Sequence, residues 1–206
     1  MIIRHGEKPG GPDDDKTPSR DLSIRGSARA AALPSLFSPD PSGSGATGPQ
    51  LSCLVAAGGP SQFSGAYGSS KGVEAPASRF PAPQHIVATK ASANSDRPAE
   101  TVTPTSQALG HRIHADYEDK DYADAAKYVI SKYAGEVVLI CWHHGKIPEL
   151  AAAFGVPQDQ ITKALGGAAK WPGGTFDWIW SITWNNGSAN LTPGCQQLLF
   201  GDQRGS

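Results

Sequence analysis

Cysteine, methionine and surplus charge are all scarce in this 206-residue chain, and each shortage excludes something. Its three cysteines, Cys53, Cys141 and Cys195, are odd in number and far apart. They fit neither a disulfide framework nor a zinc ribbon, so a reducing, cytoplasmic setting is the default expectation. Eighteen basic residues face 19 acidic ones, a net charge of -1, which provides no basic field for nucleic acid or an anionic membrane. No run approaches the roughly 18 apolar residues of a spanning helix, and Met1 to Arg4 has no room for a signal-peptide apolar region. Hydrophobic residues make up 38% of the chain, and with 24 glycines they supply enough apolar material for one compact α/β domain over residues 1–206.

The pattern along the chain predicts a three-layer α/β sandwich with a mainly parallel central sheet. Met1-Ile2-Ile3 reads as the end of a buried strand, too short for a central strand unless the natural start has been trimmed. Gly10 to Arg20 reads as a surface loop, and a helix follows from about Ser23 to Phe37, with Pro34 placed to cut it short. From Ser38 to Pro83 the composition shifts to Gly, Ser, Pro and Ala, a long loop or insertion carrying one short strand, Leu51 to Ala57. His85 to Thr89 is the next strand, and a helix opens near Pro98 and ends before Gly110. Tyr122, Ala125, Ala126, Val129, Ile130 and Tyr133 fall at helical spacing between Asp121 and Gly135. The apolar run Val137 to Trp142 fits a strand buried on both faces, and a short helix follows to about Phe154. Phe176 to Trp184, the turn Asn185-Asn186-Gly187 and the return Leu191 to Phe200 read as a C-terminal hairpin.

Three of these strand ends deliver a cation or an imidazole. Arg4-His5-Gly6 follows the first strand, where an open α/β sheet places its ligands. Arg4 offers a planar fork of donors to phosphate oxygens, and a neutral His5 beside that cation can attack phosphorus. Ser95-Asp96-Arg97-Pro98 puts Arg97 at a helix N-terminus, which favours an anion. Leu139 to Gly145 ends in His143-His144-Gly145. Convergence of three such ends on one crevice is far rarer by chance than any one of them. Other residues have plainer readings. His111 and His114 form a solvated pair rather than a zinc site, and Trp142, Trp171, Trp178, Trp180 and Trp184 serve core and rim packing. Asn186-Gly187-Ser188 and Asn190-Leu191-Thr192 match the glycosylation pattern but read as hairpin turn chemistry.

On Arg4-His5-Gly6-Glu7, Leu22-Ser23 with Gly26 and Arg29-Ala30, Arg97 with Glu100-Thr101, and His144-Gly145, the chain resembles the histidine phosphatase superfamily, also called phosphoglycerate-mutase-like. The resemblance covers residues 1 to about 154. It implies that His5 is the nucleophile of a metal-independent phosphomonoester hydrolase, forming a phosphohistidine, while Arg4, Arg97 and His144 bind the phosphoryl group. Gly6, Glu7, Lys8 and Gly145 then border the substrate, a small phosphorylated molecule, with no cofactor. His144 is preferred to His143 because it stands directly before a glycine, and His143 is expected to point away from His5 or to line the rim. The chain departs from the family pattern in its long 38–83 stretch and in lacking a His-Asp pair or the mutase branch's glutamate motif. The proton donor stays open among Glu7, Glu100 and the Asp116 to Asp121 cluster. Two alternatives accompany the hydrolase reading: a mutase-type phosphoryl transfer, and a phosphate-binding module without turnover. The substrate and the oligomeric state are not written in the sequence.

Overall fold

A computed structural model of the chain describes residues 1–10, 18–37, 79–185 and 187–202. The expected strand Leu51 to Ala57, most of the 38–83 stretch and Asn186 of the hairpin turn lie outside them. Among the described residues, six strands form one sheet: β1 (Ile2–Arg4), β2 (His85–Ala88), β3 (Ile113–His114), β4 (Val138–Trp142), β5 (Trp178–Asn185) and β6 (Ser188–Cys195). Their order is β3-β2-β4-β1-β5-β6. The first four in that order run parallel, and β5 and β6 add an antiparallel hairpin along β1.

Alternation along the strands builds two apolar layers. Ile3, Ile86, Ala88, Leu139 and Cys141 face α1 (Ile24–Ala32), α2 (Arg97–Leu109) and the 3₁₀ turn Leu33–Leu36. Ile2, Val87, Ile140 and Trp142 face α3 (Tyr122–Lys132), α4 (Ile147–Ala153) and α5 (Gln158–Ala164). This is the expected three-layer arrangement. All five residues of β4 are buried, as its continuous apolar run required.

Several boundaries differ from the sequence reading for local reasons. The first helix ends at Ala32, because Pro34 has no N–H to continue the ladder and the chain tightens into the 3₁₀ turn. Strand β6 closes at Cys195, so Leu198 to Phe200 lie beyond the hairpin rather than in it. Helix α5 and the two-residue β3 carry too little periodicity to be read in advance. Ile130, expected in the core, is 45% exposed. His114 is not merely solvated, since its Nε2 lies 3.1 Å from the Tyr133 hydroxyl. Cys195 is disulfide-bonded while Cys141 is free and buried, so the expectation that the cysteines carry no disulfide is corrected. Among the described residues no helix is long and apolar enough to cross a membrane.

Helix α1 presses directly on the segment after β1. Ser23 caps it, its Oγ accepting from Gly26 N at 3.0 Å. A Cβ added at Gly26 would sit 2.3 Å from the Glu7 carbonyl oxygen, and one at Gly6 would sit 3.0 Å from Gly26 O. The glycines are therefore required by close approach. An ion-pair network seals this contact. Arg29 Nη2 lies 2.7 Å from Glu7 Oε1 and 2.5 Å from Asp202 Oδ1, and Arg25 Nε lies 3.2 Å from Glu7 Oε1. The Arg29 side chain is 2% exposed, so Arg29→Ala would strand two carboxylates in a desolvated place. That variant should lose about 3–5 kcal/mol of unfolding free energy, the usual cost of breaking a buried pair, as measured by urea denaturation. A loss near zero would mean that water already screens the network.

Candidate functional site

Strand register decides which side chains meet at the carboxyl end of the sheet. Parallel pairing sets Ile3 beside Cys141 and Arg4 beside Trp142. His5 N donates to Trp142 O at 3.3 Å, which carries the ladder one residue further and brings His5 alongside His143. Their rings meet edge to face, with centroids 5.2 Å apart. The expectation that His143 points away from His5 is therefore corrected. Matching Arg-His-Gly to His-His-Gly by sequence pairs His5 with His144, whereas the hydrogen-bonded register pairs it with the preceding residue. The chain then turns, Lys146 N donating to His143 O at 3.0 Å. That turn leaves His144 half-buried, within electrostatic reach of Arg4 and Lys8. His143 thus lies against the His5 ring, while His144 lies within reach of Arg4 and Lys8.

His5 is 3% exposed and its Nδ1 lies 2.7 Å from Gly6 O. A carbonyl only accepts, so Nδ1 carries the proton and, in the neutral ring, Nε2 keeps its lone pair. Burial first, then the charges of Arg4 and Arg97, hold the His5 imidazole well below its ordinary pKa of 6.5. The ring is neutral at pH 7.

Arg4, 1% exposed, is gripped by a distant loop. Its Nη1 donates to Gly173 O at 2.6 Å, Thr175 O at 3.0 Å and Pro172 O at 3.3 Å. The Phe176 ring packs 3.7 Å from the guanidinium carbon and also meets the His5 ring edge, at 6.3 Å between centroids. Arg97, at the first position of α2, donates from Nη1 to Ser19 O and from Nη2 to Asn94 O at 3.5 Å. Neither arginine bonds a carboxylate among the described residues, and the Nε of each is buried without an acceptor. Burial pulls Arg4 down to about 10, still charged at neutral pH. Among the described residues, these two guanidinium groups keep buried donors without acceptors at this end of the sheet.

The bordering residues divide. Gly145 faces open space, where even an added Cβ would touch nothing within 4 Å. Lys8 is exposed and near enough to act on His144. Glu7 is turned aside into the Arg25–Arg29 pairs. Glu100 accepts from Leu22 N at 2.8 Å, which ties down its carboxylate. Desolvation raises the pKa of Glu100 and of Asp119 alike. Asp119 Oδ1 is buried without a partner among the described residues, and its backbone oxygen takes the Trp142 indole N–H at 3.3 Å, beside the end of β4. Among the described residues no cluster of three or more His, Cys, Asp or Glu is placed to hold a metal.

Sequence reasoning missed Phe176 and the carbonyls of Pro172 to Thr175, placed His143 no nearer than the rim, and gave no role to Thr101 of the Glu100-Thr101 motif, whose hydroxyl accepts from Gly6 N at 2.8 Å. The loop and Phe176 reach the site from far along the chain, and no local pattern announces them.

Burial and the neighbouring cations push His143 and His144 down to about 4. Between pH 6.5 and 4 the unfolded chain binds protons on these rings that the folded chain refuses, so stability falls as the pH drops through that window. Thermal unfolding followed from pH 7 to pH 4 should show this decline, and added phosphate should blunt it by pairing with the protonated rings. A flat profile would place the two imidazoles in water. In comparisons with protein-family models and with curated proteins, nothing matches this chain.

Proposed function

We propose that the chain is a phosphomonoester hydrolase of the histidine phosphatase type, acting on a small phosphorylated molecule through a phosphohistidine at His5. One observation carries this reading. A buried neutral imidazole, with its proton held on Nδ1 by Gly6 O, keeps its Nε2 lone pair among Arg4, Arg97 and His143. Such a nitrogen needs no base to activate it, and the cations that keep it neutral are those a phosphoryl group requires.

In the proposed sequence, Nε2 of His5 attacks phosphorus while the bond to the ester oxygen breaks. Arg4 and Arg97 balance the charge on the equatorial oxygens, and His143 and His144 donate hydrogen bonds to them. Asp119, whose buried Oδ1 has no partner among the described residues and whose pKa desolvation raises, gives its proton to the departing alcohol. Water then attacks the phosphohistidine, its proton returns to Asp119, and phosphate leaves with the His5 ring restored. The Cys195 disulfide fits an oxidising compartment better than the reducing cytosol expected from the cysteine count.

Turnover of an aryl phosphate should persist in excess chelator, and His5→Ala should abolish it while the fold survives. Enzyme quenched in alkaline detergent should carry on His5 a phosphate label that survives alkali and is released by acid. A folded His5→Ala protein that keeps its activity would overturn the reading, as would a protein that binds phosphate without turnover. Net interconversion of phosphoglycerates with little hydrolysis would assign the site to a mutase instead. His143→Ala and His144→Ala should each cost about 10²-fold in kcat, the scale for one lost transition-state donor. Asp119→Asn should be discriminating. It should slow hydrolysis of alkyl phosphates, whose leaving oxygen needs a proton, far more than that of p-nitrophenyl phosphate, whose leaving group does not. Equal losses on both substrates would remove Asp119 from the acid role.

A further inference from the structure

The Thr101 side chain, 1% exposed, lies where the three segments that carry the site come together. Its Oγ1 donates to Arg97 O at 2.7 Å and accepts from Gly6 N at 2.8 Å. The same side chain interacts with the buried Cys141 thiol. Each neighbour is tied to one site residue: Gly6 follows His5, Arg97 is itself a phosphate-facing cation, and Cys141 stands two residues before His143 on β4. A hydroxyl has one proton to give and two lone pairs to receive with, so a single group can answer all three at once.

We infer that the Thr101 hydroxyl is a positioning residue that holds His5, Arg97 and His143 in mutual register; its catalytic consequence rests on the phosphatase reading above, its structural consequence does not. The Gly6 amide has no ladder partner beyond β1, and the site is too buried for water to replace a lost acceptor. The carbonyl of that same Gly6 holds the proton of His5 Nδ1. Releasing the amide therefore lets the peptide that fixes the nucleophile's ring rotate. Helix α2 also supplies an internal control. Thr103 Oγ1 makes the same bond to the carbonyl four residues back, Ala99 O at 2.8 Å, and among the described residues no long-range hydrogen bond. Thr103→Val removes a local helix bond alone; Thr101→Val removes the long-range one as well.

The experiment compares wild type, Thr101→Val, Thr101→Ser and Thr103→Val by imidazole NMR, amide hydrogen exchange and steady-state kinetics. In Thr101→Val the His5 and His143 ring signals should shift and the Gly6 amide should lose its protection, while Thr101→Ser and Thr103→Val keep both. With p-nitrophenyl phosphate, kcat of Thr101→Val should fall about 10²-fold with little change in KM, the scale of a misplaced reacting group, and the serine variant should stay within about threefold of wild type. Wild-type ring signals and wild-type kcat in Thr101→Val would overturn the inference. So would fast exchange of the Gly6 amide in the wild-type protein, a measurement that does not depend on any variant folding. Shifted rings in a protein whose wild type hydrolyses no phosphomonoester would uphold the positioning role and overturn the phosphatase reading.

Discussion

Two guanidinium groups held out of water, with no carboxylate bonded to either among the described residues, set the terms for this end of the molecule. Burying a cation is costly, and the usual remedy is a paired acid. Here Arg4 is answered by three backbone carbonyls and an aromatic face, and Arg97 by two carbonyls. Carbonyl dipoles hold an arginine in place without cancelling its charge. Burial first, and then that uncancelled charge, depresses His5, His143 and His144, because each ring would add another cation to a crowded, desolvated place. Neutral imidazoles and unmatched positive charge are thus two faces of one constraint.

The nearest acid illustrates how that constraint is maintained. Glu7 stands three residues from Arg4 and still raises its pKa, yet its carboxylate is drawn into Arg29 and Arg25. Arg29 in turn is shared with Asp202, near the far end of the described chain. The network therefore serves the site indirectly. It keeps a carboxylate from closing on Arg4, and it clamps α1 to the Gly6–Glu7 segment at a distance only two glycines allow.

The mainly parallel sheet, its C-terminal hairpin and its two helical layers were legible in the sequence, while the strand order was not. The continuous apolar run at Val138–Trp142 could only be a strand covered on both faces, and Tyr122 to Lys132 could only be an amphipathic helix. Elements too short to show a period, such as Ile113–His114 and Gln158–Ala164, were not legible. Ile130 shows a subtler failure. It sits at helical spacing with Val129 and Tyr133, but the buried stripe of α3 is narrow and leaves it at the edge.

By itself the sequence determined the chemistry on offer: an arginine and a histidine at the end of one buried strand, paired histidines at the end of another, and Arg97 opening a helix after a third. These depend on neighbours in the chain, through alternation, capping and the conformational limits of proline and glycine. Tertiary structure alone decided which imidazole meets which. A parallel ladder slips or holds by whole residues, and the pairing of Arg4 with Trp142 gave His143, not His144, the place beside His5. The clamp on Arg4 from Pro172 to Phe176, and the withdrawal of Glu7 into Arg29, were likewise settled by packing between segments far apart in the chain. Such contacts leave no local periodicity to read, because their geometry exists only once the sheet has closed and α1 has docked.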